Sequence, residues 1–332
     1  MHADRLGRAA LAAIVGALLI SVFFSGCTAR KEYNTTSVTN QIFNEVEWIE
    51  NLSNVSSNQT INQATDNQAI SNKPAAENQT ASNKSGPLVY EGNGFYGVRG
   101  CATIKESGKY RLRNNISMSD SCFVIKSDNV DFDCLGHSIT GVSRGYAFYV
   151  EPPSGERFVN VSISGCVIKG PLVGISAMYI DNIKLERNEI YEAGNGIVLQ
   201  SAINARIIGN TMSGCPRSMA LFYCSYCNIS LNTFEKDSMG VMYFSPVGGI
   251  TTANTFNNSH LWVQSGKGLE IYANRFIGSY ISFDSGQTNV VVKENSFSNL
   301  PNSTRPIQGS NAVDGGGNEC EAPGNYSGIK CS

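Results

Sequence analysis

One spacing constrains this chain more than any other feature. An apolar residue that follows a short polar turn, usually Asn-X-Phe or Asn-X-Ile, falls at Ile139, Ile168, Ile190, Met212, Phe234, Phe256, Phe276 and Phe297. The successive intervals are 29, 22, 22, 22, 22, 20 and 21 residues. The long interval contains Glu151-Pro-Pro-Ser-Gly-Glu-Arg157, a turn-rich insertion of seven residues whose removal restores 22. A period of this length marks a solenoid, in which one coil cannot bury its apolar face alone and does so by stacking on the next. It overrides the two domains that a length of 332 residues suggests at roughly 150 residues each.

Each period contains short runs that alternate apolar and polar residues. One set starts at Asn: Asn160-Val-Ser-Ile163, Asn182-Ile-Lys-Leu185, Asn204-Ala-Arg-Ile207 and Asn289-Val-Val-Val292. The other follows the turn: Gly174-Ile-Ser-Ala177, Gly196-Ile-Val-Leu199, Gly240-Val-Met-Tyr243 and Leu261-Trp-Val263. Period-2 alternation with β-branched inward residues predicts strands, two or three per coil, and no helical period survives. Eight such coils, stacked at about 4.8 Å each, make a rod roughly 38 Å long. Charged residues are 16% of the chain, with 25 basic and 27 acidic side chains, so there is no basic footprint for nucleic acid.

The stretch Asn129-Val-Asp-Phe-Asp-Cys-Leu-Gly-His-Ser-Ile-Thr-Gly141, followed by Asn-X-Phe and Gly-Ile-X-Leu units, resembles the right-handed parallel β-helix repeat family of the pectate-lyase-like superfamily. The resemblance covers about residues 100–300. It implies an all-β, single-stranded, right-handed parallel β-helix of about 8–10 coils, in a superfamily of carbohydrate-binding and sugar-hydrolysing proteins. Residues 88–128 are then the N-terminal cap and first coil, 129–299 the repeats and 300–332 the C-terminal cap. The accessory β-helices of nitrous-oxide-reductase maturation are a more distant likeness, without metal ligands here to support it.

Before the repeats lie two segments of different character. Arg5 and Arg8 precede an uncharged run from Ala9 to Ala29, and Ser25-Gly26 lead into Cys27. That order is a secretory signal. Phe24-Ser25-Gly26-Cys27 resembles a lipoprotein processing box, which implies lipidation at Cys27; the rival is an uncleaved anchor, since 21 uncharged residues span a bilayer core of about 30 Å. Both readings place the remainder outside the cell membrane and tether it there. Residues 28–87 hold 30 Asn, Gln, Ser or Thr in 60 positions and read as a disordered stalk. Six of the chain's twelve Asn-X-Ser/Thr sites crowd residues 34–83, which become glycan acceptors only in a glycosylating host.

Within the repeats, most recurrent residues read as architecture. Asn188, Asn210, Asn232, Asn254, Asn274 and Asn295 form an amide ladder, Phe234, Phe256, Phe276 and Phe297 an internal ring stack, and His137 a coil corner. Ten cysteines suit an oxidising compartment. Bridges are expected at Cys320–Cys331 in the C-terminal cap and Cys101–Cys122 in the N-terminal one, with Cys134, Cys166 and Cys215 as buried thiols. Cys224-Ser-Tyr-Cys227 is a lone pair without the partners that zinc needs, so no metal is expected.

Two groups of outward residues carry functional expectations. Placing Leu221, Val241 and Leu261 inward turns Phe222, Met242 and Trp262 outward, with Phe244 two residues further along its strand. Such a column can stack on sugar rings; it also fits cover by the caps or a dimer contact, and a slip of one residue would return it to the core. The turn before that strand collects Arg217 and Asp237, with His260 one coil on, as a cation, acid and base for polysaccharide chemistry. The resemblance implies that enzymes of this type carry an acidic cluster, for calcium in lyases or for the acid/base pair in hydrolases, and no such cluster is found. The sequence therefore favours a tethered, cell-surface protein that binds glycan or envelope polysaccharide without catalysis and without a cofactor. The alternatives are a lyase, epimerase or glycoside hydrolase, calcium entering only with a lyase, and a structural adhesin.

Overall fold

The computed structural model describes residues 87–301, 304–309 and 311–332. The expected export signal with Cys27, and all of the expected stalk but its last residue, lie outside the described residues.

Short strands from successive coils pair in parallel and build three long sheets. The first has twelve strands; it opens with an antiparallel hairpin, Leu88–Gly92 against Phe95–Val98, and ends at Ala312–Gly316. The second, ten strands from Ile116–Ser117 to Glu319–Cys320, carries the residues of the 22-residue period. The third, also ten strands, runs from Ala102–Ile104 to Ile307–Gln308 and contains the longest strands, such as Arg217–Phe222 and Met239–Phe244. The chain is thus an all-β, right-handed-type parallel solenoid of about ten turns, with three strands per turn.

The register agrees with the spacing. Ile139, Ile168, Ile190, Met212, Phe234, Phe256, Phe276 and Phe297 are consecutive partners in the second sheet and are all buried. The four phenylalanines stack at 4.6–4.8 Å between ring centroids. The insertion stands out from one turn and is pinned where Phe158–Val159 pairs with Ile180–Asp181 and Arg157 forms an ion pair with Asp181.

At the corner between the first and second sheets, each asparagine of the ladder is buried. From Asn210 onward, its Oδ1 accepts both the backbone N–H and the side-chain N–H of the asparagine one coil earlier, as from Asn188 to Asn210 at 2.9 and 3.0 Å. The second side-chain N–H reaches a strand carbonyl, Ile163 O for Asn188. The ladder continues beyond Asn295 to Asn318. In this way the corner satisfies backbone groups that its tight turn would leave orphaned.

Among the described residues there are four disulfides: Cys101–Cys122, Cys134–Cys166, Cys224–Cys227 and Cys320–Cys331. The expectation that Cys134 and Cys166 are thiols is corrected: they occupy the same corner in neighbouring coils, 4.7 Å apart at Cα, because the insertion lies between them in sequence but outside the stack. Cys224 and Cys227, treated above only as an unsupported metal pair, clip one turn to itself. Cys215 is buried and in no disulfide.

Candidate functional site

The outward face of the third sheet is set by strict alternation. Met219 and Leu221, Val241 and Tyr243, and Leu261 and Val263 point into the core. The residues between them point out and align across coils: Ala220, Met242 and Trp262 in one row, Phe222, Phe244 and Gln264 in the next. Phe222 and Phe244 stack at 4.5 Å and 11°, and Trp262 meets Phe244 edge-on at 4.8 Å. Phe222, Met242 and Phe244 stand apart from the internal core cluster, yet keep only 7–8% of their surface exposed, whereas Trp262 is half-buried. The column therefore exists as an outward row, but most of its aromatic surface is spent on neighbouring side chains, and Trp262 is its accessible end.

A polar row flanks the column. Asn195, Arg217, Met239 and His260 are register partners in successive coils, and Arg217 Nη1 donates to Asn195 Oδ1 at 3.4 Å. His260 is half-buried and stacked on Tyr280 at 3.8 Å; burial holds its pKa below the usual imidazole value, so it is neutral at pH 7. Its Nδ1 is buried and has no hydrogen-bond partner, and a buried polar atom left so costs about 1–3 kcal/mol.

Arg217, Asp237 and His260 do not converge as an acid–base set. Asp237 was expected on a solvent-facing turn and is instead 2% exposed. Its carboxylate accepts from the Cys215 backbone N–H at 2.8 Å, Ser218 Oγ at 2.5 Å and Ser259 Oγ at 3.4 Å, which closes the turn. Burial pushes its pKa up to about 6 against those hydrogen bonds. Arg217 and His260 are separated by the coil of Met239, about 10 Å at ~4.8 Å per coil. Asp237 also heads a second ladder that sequence reasoning missed: its N–H donates to Ser259 Oγ, and the Ser259 N–H donates to Ser279 Oγ.

Comparison with known proteins bears on this architecture. Residues 154–326 match the family described as periplasmic copper-binding protein (NosD). The chain belongs to the NosD family. Export to a periplasm-like compartment agrees with the four disulfides, which persist in oxidising surroundings. No curated protein sequence matches the chain. Among solved structures it is similar to the selenomethionine derivative of the GH136 lacto-N-biosidase of Eubacterium ramulus, at 15% identity over 68% of this chain and 49% of that one, with a TM-score of 0.49. It is also similar to ORF18 of Geobacillus virus E2, at 12% identity over 65% and 55%, TM-score 0.46. A third is the catalytic unit of the GH87 α-1,3-glucanase of Streptomyces thermodiastaticus, at 11% over 70% and 62%, TM-score 0.35. The chain spans about half the length of the first two.

Copper is bound by imidazole, thiolate and thioether donors. Among the described residues no three His, Cys, Asp or Glu side chains gather as a metal set. Eight cysteines are tied into disulfides, His137 and His260 lie on different turns, and the His260 ring is packed on Tyr280. Among the described residues, then, no cluster of His, Cys, Asp or Glu side chains offers a site for the metal in the family's name.

Proposed function

We propose that this NosD-family protein is an exported β-helix that binds a glycan or envelope polysaccharide along the outward face of its third sheet and does not cleave it. The observation that carries this reading is the outward aromatic cluster of Phe222, Phe244 and, from the adjoining row, Trp262, which ends in a half-buried indole two residues along the strand from His260, whose Nδ1 has no hydrogen-bond partner. Aromatic faces take up the apolar C–H faces of sugar rings, and neighbouring polar groups such as Arg217, Asn195 and Gln264 can bind hydroxyls. The buried, bonded state of Asp237 supports binding over catalysis, since an acid enclosed in a turn cannot reach a glycosidic oxygen. The segment from Met1 to Cys27 would tether the protein to the membrane, with residues 28–87 as spacer.

The test is a glycan array followed by titration of the best ligand with Trp262→Ala. Loss of one stacking contact lowers affinity about tenfold. An unchanged affinity for a ligand that the wild-type protein binds removes this site from consideration.

A further inference from the structure

The corner between the third and first sheets carries tyrosines that neither the core nor the aromatic column explains. Successive coils place Tyr179, Ser201, Tyr223, Ser245 and Ser265 at one left-handed position, with φ between 47° and 53°. The backbone N–H groups of the first four bond in order to the carbonyls of Gln200, Phe222, Phe244 and Gln264 of the following coil. Tyr179 and Tyr223 are therefore two coils apart, about 10 Å at ~4.8 Å per coil, with a serine between them.

Three residues past Tyr223, Tyr226 is also left-handed at φ 55°. Its ring rests on the next coil: a Cβ at Gly248 would lie 2.7 and 2.8 Å from the ring carbons Cδ1 and Cε1. Gly248 thus leaves the place that the ring occupies. Tyr179 and Tyr223 are each 38% exposed and Tyr226 is 62% exposed. Left-handed backbone suits Gly and Asn and is costly for a bulky side chain. Left-handed residues recur at corners along the whole stack, Leu231, Lys236 and Glu294 among them, so the conformation belongs to the corner; what is particular to these positions is an aromatic ring that gains little burial there.

Charge narrows what the corner can hold. The Asp181 carboxylate is taken up by Arg157, whose guanidinium also donates to Ser201 O. Ile203, Ser225 and Val247 form the adjoining row, which starts at Asp181, paired with Arg157, and carries no further charge until Lys267. The surface is aromatic and hydroxylated, and with Asp181 neutralised by Arg157 it carries no net charge along the length of the tyrosines.

We infer that Tyr179, Tyr223 and Tyr226 form a stacking track for a neutral, linear polysaccharide lying along the solenoid axis. The two-coil interval matches a pair of sugar residues, with Ser201 placed to bond a hydroxyl between them. The track is continuous with the third-sheet column, because Tyr223 directly follows Phe222. It rests on the glycan-binding reading and adds to it the charge class, the direction and the length of the ligand.

The full chain would be titrated with cello- and manno-oligosaccharides of two to six units, and with oligogalacturonates as the charged control. Affinity for the neutral series rises with length and exceeds that for the uronates. Tyr179→Ala, Tyr223→Ala and Tyr226→Ala each lower it about 3- to 10-fold, and Tyr226→Trp preserves it. All three tyrosines are on the surface, so an unchanged β-sheet circular dichroism spectrum checks that the variants fold. If Trp262→Ala weakens binding and the tyrosine variants do not, the track is wrong and the sheet-face reading stands. If the wild-type protein binds uronates more tightly than the neutral series, the charge class is wrong. If it binds no carbohydrate, both readings fail together.

Discussion

Asn210 gives two hydrogen bonds to one oxygen, Oδ1 of Asn232: its backbone N–H and its side-chain N–H both reach it at 2.9 Å. Asn232 in turn donates to Asn254 Oδ1 and to Ile207 O. Every rung of the inner ladder is therefore both acceptor for the coil before and donor to the coil after, in a place closed to water.

Removing one rung strands groups on both sides. Asn232→Ala leaves the two Asn210 donors and the Ile207 carbonyl short of partners, while Asn254 Oδ1 keeps only the backbone N–H of residue 232. Unsatisfied buried groups cost about 1–3 kcal/mol each, less whatever relaxation and water recover, so a net loss of about 3–5 kcal/mol is expected in urea unfolding. An exposed run of asparagines, Asn129, Asn160 and Asn182, at the corner between the third and first sheets provides the control. Asn182 donates to Asn160 at 3.4 Å in an exposed place and is left-handed at φ 58°, so the control is Asn182→Gly, which keeps that backbone and is expected to cost no more than about 0.5 kcal/mol. Equal costs at the two sites would refute this account of the corner.

How much of this was legible beforehand depended on whether a column repeats one letter. The asparagine and phenylalanine columns did, and their register was readable from spacing alone. The Asp237–Ser259–Ser279 ladder did not, because a carboxylate and two hydroxyls perform one job with different side chains. Cys134–Cys166 was hidden by the insertion. Its signal was nonetheless present, since 22 residues before Asn188 stands Cys166, whose N–H bonds to Asn188 Oδ1 as an asparagine of the ladder would. At the candidate site, alternation gave the outward direction of Phe222, Met242, Phe244 and Trp262. Their low exposure was not readable, because burial on an outer face depends on neighbours that no periodicity encodes. The corner tyrosines were missed for a related reason: three residues at irregular intervals form no visible column.

Stability should respond to pH through Asp237. Its pKa is about 6 in the folded chain because burial disfavours the charged form, against about 3.9 in an unfolded chain. The folded state therefore holds the proton more tightly. The contribution of this group is complete below about pH 4, is lost as pH rises through about 6, and stays lost above that. The difference amounts to about 2–3 kcal/mol at most. Asp237→Asn retains an acceptor for Cys215 N–H and can donate to a serine hydroxyl, so it removes this slope. The measurement is unfolding free energy of both proteins from pH 4 to pH 7; parallel curves would contradict the assignment.

The C-terminal cap should open locally when its bridge is cut. Cys320–Cys331 ties a short hairpin, Gly324–Tyr326 against Ile329–Cys331, to the last strand of the second sheet. Closing an 11-residue separation constrains the unfolded segment by about 3 kcal/mol. In a solenoid each coil rests mainly on its neighbours, so Cys320→Ser/Cys331→Ser should speed amide exchange in residues 319–331 and in Ser296–Ser298, and leave Thr233–Glu235 protected. Uniform acceleration along the whole stack would show that the cap acts globally.

Gly240 sets the sharpest packing test. It adopts no left-handed conformation, so an alanine there meets no backbone penalty, yet its Cβ would lie 2.9 Å from Phe256 Cδ1 and 3.2 Å from Phe234 Cβ. Those rings belong to the internal stack, which has no room to shift because Phe256 is held between Phe234 and Phe276 at 4.7 and 4.6 Å. Gly240→Ala is expected to cost about 1–3 kcal/mol from overpacking. Phe256→Leu removes the ring and opens that space at its own cost. In that background Gly240→Ala should become nearly neutral, because the methyl group then fills volume instead of contesting it. The coupling between the two substitutions, read from a double-mutant cycle in urea, should be at least about 1 kcal/mol. Additive costs would mean that the clash is relieved by moving the strand and not the ring, and the rigidity assigned to the phenylalanine stack would have to be given up.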